Sequence, residues 1–315
     1  MRAGNRLRTC DKFLFYSASN CRPAGDERVM NLNGRRESTN VDDRRGMGRG
    51  AKAGVGLGGT IIIALIVMLL GGDPSSVLEG ISSIQETEQT EGGTEFSAEE
   101  QELASFAKKI LAGTEDVWTA IFAKYGYEYD PPRMVLYSGS TTSGCGAASS
   151  SVGPFYCSAD QSVYIDLSFF TSMKRQIGAD GDLAYAYVIA HEVGHHVQYL
   201  LGTLGQAHQK MARVSKTEAN AISVRLELQA DYYAGVWAMN DDKRFNSLEK
   251  GDIENALNCA SKIGDDYLQK KAQGYVVTES FTHGTAKQRY NWLKKGLEYG
   301  DLEHGDTFGV AASKL

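Results

Sequence analysis

The spacing of apolar positions divides the chain into three regimes. Residues 1–52 show no sustained hydrophobic period. Residues 53–72 form an uncharged run of twenty, centred on Ile61-Ile-Ile-Ala-Leu-Ile-Val-Met-Leu-Leu70. Beyond residue 97 the 3.6-residue period of amphipathic helices recurs. It predicts helices over 98–113, 115–124, 169–177, 181–201, 218–239, 252–263 and 286–297. Ser97-Ala-Glu-Glu100 reads as a capping box, and Gly113 as the stop of the helix it opens. Two short runs, 133–137 and 162–166, are rich in β-branched and aromatic residues and read as strands. Between them a Gly/Ser/Thr/Ala stretch, 139–154, reads as a long loop. The expected fold class is α+β, mostly α, with a small sheet.

Twenty residues of helix span about 30 Å, enough to cross a bilayer. Residues 53–72 are therefore read as one N-terminal transmembrane helix, the lipid bilayer being the partner; a buried core helix is the alternative. Charge adds an orientation. Residues 1–52 hold 12 Lys/Arg against 6 Asp/Glu, leaving 21 against 33 for the rest of a chain whose net charge is −6. An acidic body is not a nucleic-acid-binding profile. The basic flank, with Arg35, Arg36, Arg44, Arg45, Arg49 and Lys52, reads as a cytoplasmic segment under the positive-inside rule. On that reading the protein is single-pass in the bacterial cytoplasmic membrane. Residues 1–52 are cytoplasmic, 73–97 are an acidic polar linker, and 98–312 are a domain facing the periplasm or cell exterior. Residues 1–29 show no secretory signal and read as an extension ahead of a true start at Met30.

One stretch carries chemistry of its own: Ala190-His191-Glu192-Val193-Gly194-His195-His196, inside the apolar 181–201 helix. Residues four apart share a helix face, so His191 and His195 can aim two imidazoles at one ion. Glu192 lies about 100° round the helix, within reach of a water on that ion. This combination suits Zn2+ with a carboxylate base for hydrolysis of a peptide or protein substrate. Val193 and Gly194 are small enough for another backbone to approach. Two solvated helix histidines are the blander reading.

A catalytic zinc needs a third protein ligand. His196 points away from the His191–His195 face, and position 201, where a further histidine would sit in one related pattern, is leucine. His208 lies past a glycine break. Glu227, 32 residues beyond His195, is the best candidate, with Asp231 one turn on to accept a ligand ring N–H. A solvated helix face paired with Arg225 or Lys216 is the competing reading. His283, in Thr282-His-Gly-Thr285, is a candidate donor to a developing oxyanion, or else part of an N-capping turn. The 162–166 strand is a candidate edge for an extended peptide.

The five cysteines contain no Cys-x-x-Cys pair, which argues against a zinc ribbon. Cys145 and Cys157, twelve apart, would form a disulfide outside the cytoplasm; two buried thiols are the alternative.

The motifs together resemble the bacterial neutral zinc metallopeptidase family. They include Arg35-Arg-Glu-Ser-Thr-Asn-Val-Asp-Asp-Arg-Arg45, Gly144-Cys-Gly146, Gly153-Pro-Phe-Tyr-Cys157 and Tyr164-Ile-Asp-Leu-Ser-Phe169. They continue through Gly178-Ala-Asp-Gly-Asp182, the His191 motif, Glu227 to Asp231 and Ser280-Phe-Thr-His-Gly-Thr285. The resemblance covers 31–312. It implies a zincin-like, gluzincin-type domain with His191, His195 and Glu227 as zinc ligands and Glu192 as base. A zinc-binding scaffold without turnover, and a hydrolase of non-peptide amides, are the rival readings. The oligomeric state is not read from the sequence.

Overall fold

The structure, a computed structural model, describes residues 30–46 and 96–315. The 53–72 run and nearly all of the 73–97 linker lie outside the described residues. Among the described residues no helix is long and apolar enough to cross a membrane.

The fold is mostly helical with a small mixed sheet. The strands are β1 (Val41–Asp43), β2 (Arg133–Tyr137), β3 (Ser140–Ser143), β4 (Gly146–Ser149), β5 (Phe155–Cys157) and β6 (Ser162–Asp166). The helices are α1 (Ala98–Lys124), α2 (Ser168–Ile177), α3 (Asp182–Leu200), α4 (Thr203–Met211), α5 (Lys216–Phe245), α6 (Asp252–Lys262), α7 (Asp265–Gln273) and α8 (Ala286–Tyr299). The sheet order is β1-β2-β6-β5, with β1, β2 and β6 parallel and β5 antiparallel at one edge. β6 thus has a neighbour on each side and offers no free edge, which corrects the expectation that 162–166 is an edge; β1 and β5 are the edges of the sheet. β3 and β4 form a separate hairpin within the expected loop.

Side chains start the long helices where the sequence signals them. Ser97 with Glu100, Ser215 with Glu218 and Thr285 with Gln288 form capping boxes for α1, α5 and α8. Each satisfies backbone N–H groups that the first turn leaves without partners. The buried faces of α1, α3, α5, α6 and α8 meet β2 and β6 in one core. α5 and α8 cross with their backbones touching. A Cβ on Gly296 would lie 2.0 Å from the Tyr232 carbonyl oxygen, and one on Gly235 would lie 2.3 Å from that of Leu293. Only glycine allows so close a crossing.

Two expectations are corrected here. The helices expected at 98–113 and 115–124 are one helix, α1, and Gly113 is buried inside it. Its missing side chain makes room: a Cβ there would lie 2.7 Å from both the Arg35 guanidinium and the Asp241 carboxylate. The second correction concerns residues 30–46, expected in a separate basic segment but packed into the same core as α1 and α5. Met30 is fully buried, and β1 extends the sheet beside β2. The arginines there have partners in the fold. Arg35 pairs with Asp241 at 2.7 Å, and Arg36 pairs with Glu115 and Asp116 at 2.8 and 2.7 Å. Arg45 pairs with Asp43 at 2.6 Å and donates to the Glu100 carbonyl at 3.0 Å.

Burial sets the worth of these pairs. The Arg35 and Asp241 side chains are 9% and 1% exposed, whereas Arg36 is half-exposed. Removing one partner of a buried pair strands the other charge at about 3–5 kcal/mol. Exposed pairs contribute about 0–1 kcal/mol. Arg35→Ala is expected to lower unfolding free energy by about 3–5 kcal/mol, and Arg36→Ala by under about 1 kcal/mol. Denaturant titration of both variants checks the contrast; equal losses would refute it.

Candidate metal centre

The sequence places His191 and His195 four residues apart on α3, and α5 comes to meet them. The approach depends on Gly194, where a Cβ would lie 3.0 Å from the Ala230 carbonyl oxygen and 3.1 Å from its Cα. That contact brings Glu227 and Asp231, one turn apart on α5, against the histidine face. Glu227 Oε2 lies 3.2 Å from His191 Nε2, and Oε1 lies 3.4 Å from His195 Nε2. One ligand atom from each of the three residues falls within 4.8 Å of the others.

The outer nitrogens fix the ring tautomers. His191 Nδ1 lies 2.8 Å from Asp231 Oδ1; a carboxylate only accepts, so Nδ1–H donates. His195 Nδ1 lies 2.9 Å from Gln198 Oε1, whose amide nitrogen donates to the Leu226 carbonyl at 2.7 Å. Gln198 therefore presents an acceptor, and His195 Nδ1 is also a donor. Both Nε2 atoms are left facing Glu227. Such second partners orient ligand histidines and raise their basicity. Asp231 is fully buried, and it also accepts from the Tyr187 hydroxyl at 2.6 Å and from two Arg289 nitrogens at 2.8 Å each.

The three residues line a cavity of about 540 Å³. Glu192 lines it too and is buried. The lining also includes Cys145, Gly153, Pro154, Phe155 and Tyr156. Cys145 and Cys157 are joined as a disulfide, tying the β3–β4 hairpin to β5. β5 is also fixed to α3, because the Tyr156 hydroxyl lies 2.9 Å from His196 Nδ1 while His196 Nε2 lies 2.7 Å from the Asp130 carbonyl. His196 is thus a buried brace rather than a member of the cluster. His208 is exposed at the cavity rim.

The family described as "Putative neutral zinc metallopeptidase" matches residues 30–308. The chain belongs to this family. It is 49% identical over 287 residues to the uncharacterized protein YpfJ of Escherichia coli K12, covering 89% of this chain and 99% of the relative. It is 38% identical over 256 residues to the uncharacterized protein Mb2605 of Mycobacterium bovis, covering 78% of this chain and 85% of the relative. No solved structure matches it. The match includes residues 30–46, in keeping with their place in the folded unit.

His283 reaches the same cavity from the turn before α8, and Thr285, not His283, caps that helix. Fully buried Asp265, at the start of α7, holds the turn. Its Oδ2 accepts from the backbone N–H groups of Thr282, His283 and Gly284 at 2.8, 2.7 and 3.0 Å. Its Oδ1 lies 3.1 Å from His283 Nδ1. Sequence reasoning singled out neither Asp265, Gln198 nor Arg289. Gly264-Asp265-Asp266 carries only a helix-start signal; the partners of Asp265 and Arg289 lie on other elements, and Gln198, three residues from His195 on α3, is oriented by Leu226 on α5.

Electrostatics favour a cation. Burial pushes the His191 imidazolium down, but the Asp231 and Glu227 carboxylates outweigh it and raise its pKa to about 10. Glu227 is held well below the usual carboxylate range: burial opposes ionisation, and the histidine charges and hydrogen bonds overcome it. Burial pushes Glu192 up, against the pull of His191 and His195. Two imidazole nitrogens and one carboxylate, with the cavity open beside them, fit the donor set of a catalytic zinc.

Zinc binding must displace the proton held at His191. Calorimetry in buffers of different ionisation enthalpy is expected to show proton release on zinc uptake, and affinity falling as pH is lowered. Glu227→Ala is expected to strip the metal, and Asp231→Asn to weaken zinc affinity about 10- to 100-fold. Full zinc occupancy of Glu227→Ala would remove it from the ligand set.

Proposed function

We propose that the protein is a zinc metallopeptidase that hydrolyses peptide bonds, with His191, His195 and Glu227 as ligands and Glu192 as general base. The observation that carries this reading is the convergence of both Nε2 atoms and the Glu227 carboxylate beside Glu192 in one open cavity. A purely structural zinc site has no use for that glutamate. Zinc bound there would supply Lewis acidity, polarising the scissile carbonyl and making a water easier to deprotonate.

The chain's own groups account for the proton movements. Glu192 accepts a proton from the attacking water and later delivers it to the leaving amine. Its raised pKa suits both transfers, since a base poised nearer the working pH also serves as an acid. His283 donates to the developing oxyanion. Burial lowers the His283 pKa, but the Asp265 hydrogen bond and the Glu227 and Asp265 charges outweigh it, so the net direction is up. An extended substrate adds alongside β5, the edge strand that lines the cavity, by main-chain hydrogen bonds.

The compartment belongs to the same proposal. The Cys145–Cys157 disulfide in the cavity wall supports a domain outside the cytoplasm, where such bonds persist. The uncharged 53–72 run is the chain's contact with the bacterial cytoplasmic membrane.

The decisive assay is cleavage of a peptide library by the zinc-loaded protein and by Glu192→Gln. Wild-type cleavage is expected, with a loss of at least about 100-fold in the variant while zinc is retained. Stoichiometric zinc without cleavage of any peptide would favour a scaffold instead. The pH profile gives a second check. The base form of Glu192 is present above its raised pKa, so activity falls as pH drops through that value, above the ordinary carboxylate range of about 4.3. The protonated form of His283 is lost as pH rises through its raised pKa. Asp265→Asn is therefore expected to bring the alkaline limb to lower pH. An unchanged limb would count against His283 as the donor.

A further inference from the structure

We propose that residues 30–46 and the 96–315 domain lie in the same compartment, so that the chain between them makes no single membrane crossing.

The argument starts from how residues 30–46 are held. Met30 and Leu32 belong to the main core. The Asn31 N–H donates to the Ser247 carbonyl at 2.8 Å, and the Ser38 N–H to that of Lys108 at 3.0 Å. β1 pairs with β2 in parallel register, Val41 opposite Met134 and Asp43 opposite Leu136. The Arg44 N–H continues the pattern to the Leu136 carbonyl at 2.7 Å. Gly113 leaves the space that the Arg35 guanidinium fills, and that guanidinium lies 3.7 Å over the Phe245 ring. Without this segment, Asp241 would be a buried carboxylate lacking its cation, and β2 would present an open edge.

The two ends of the intervening chain also meet. The Arg45 guanidinium lies 4.2 Å over the Phe96 ring and donates to the Glu100 carbonyl. Thus the residue leading into the 47–95 stretch touches the residue leading out of it. A helix crossing once would hold its flanks about 30 Å apart, with hydrocarbon between them. Contacts of 2.7 to 4.2 Å do not survive that separation. The conclusion is the same whether the segment docks on its own domain or on a second copy.

The positive-inside reading loses its footing for the same reason. That rule concerns Lys/Arg beside a span, yet Arg35, Arg36, Arg44 and Arg45 are paired with Asp241, Asp116, Asp42 and Asp43. These arginines serve the fold.

The test labels the full chain in bacterial spheroplasts with a membrane-impermeant maleimide. Two variants with one added cysteine each are compared, Thr39→Cys and Lys250→Cys, both exposed positions, with Cys10 and Cys21 replaced by serine; of the remaining cysteines, Cys145 and Cys157 are joined and Cys259 is buried. Expected is the same behaviour at both: labelled together in intact spheroplasts, or together only after permeabilisation. Labelling of one alone in intact spheroplasts would overturn the proposal. A second variant guards against misfolding. Glu37 and Ser105 are hydrogen-bonded at 2.5 Å. Glu37→Cys with Ser105→Cys, carrying an inserted protease site between residues 73 and 95, is oxidised in the membrane and then cut. One band without reductant and two with it are expected; two bands without reductant would refute shared docking.

Discussion

Asp231 is the residue through which the site is attached to the fold. Its carboxylate has no contact with solvent and is shared by His191, Tyr187 and Arg289. Burial disfavours its charge, and the Arg289 guanidinium beside it holds the group below its ordinary range. An unpaired buried charge costs several kcal/mol, so α3, α5 and α8 must all be in place before Asp231 is satisfied. The orientation of the His191 ring is therefore set by tertiary packing, not by α3 alone. The glycine contacts at 194, 235 and 296 are the steric side of the same requirement, since they let three helices approach closely enough to share one carboxylate.

Much of this was legible in the sequence because it is written at short range. Strands 133–137 and 162–166 were readable from composition, the long helices from their period, and the start of α1 from its Ser97–Glu100 capping box. His191 and His195 declare themselves by a spacing of four. Glu227 is legible because a carboxylate with Asp231 sits in an apolar helix. The misreadings share a physical cause, which is that their partners are remote in sequence. Gly113 looks like a stop signal until Arg35 is known to fill its space. Arg35 and Arg36 look like a separate basic segment until Asp241 and Asp116 are found opposite them, 206 and 80 residues away. β1 has three residues, two of them acidic, and no period to read. Asp265 acts through backbone contacts across elements, which no local pattern encodes, and Gln198, although only three residues from His195, is turned by the remote Leu226 carbonyl.

The cavity wall that carries the disulfide is built differently from its floor. The floor is helical and rigidified by charge pairs. The wall is a short edge strand and a hairpin with few buried groups, held by the Cys145–Cys157 bond and the Tyr156–His196 hydrogen bond.

The position of β1 and Arg35 has a consequence in time. Arg35 leaves the ribosome 206 residues before Asp241. At about 5–20 residues per second, the early segment waits roughly 10–40 s for its partner. The β1 backbone waits about half as long for β2, because Val41 lies opposite Met134. Every strand of the sheet is made before residue 167, so the ion pair to Asp241 is among the contacts of this segment that the chain must wait longest to form.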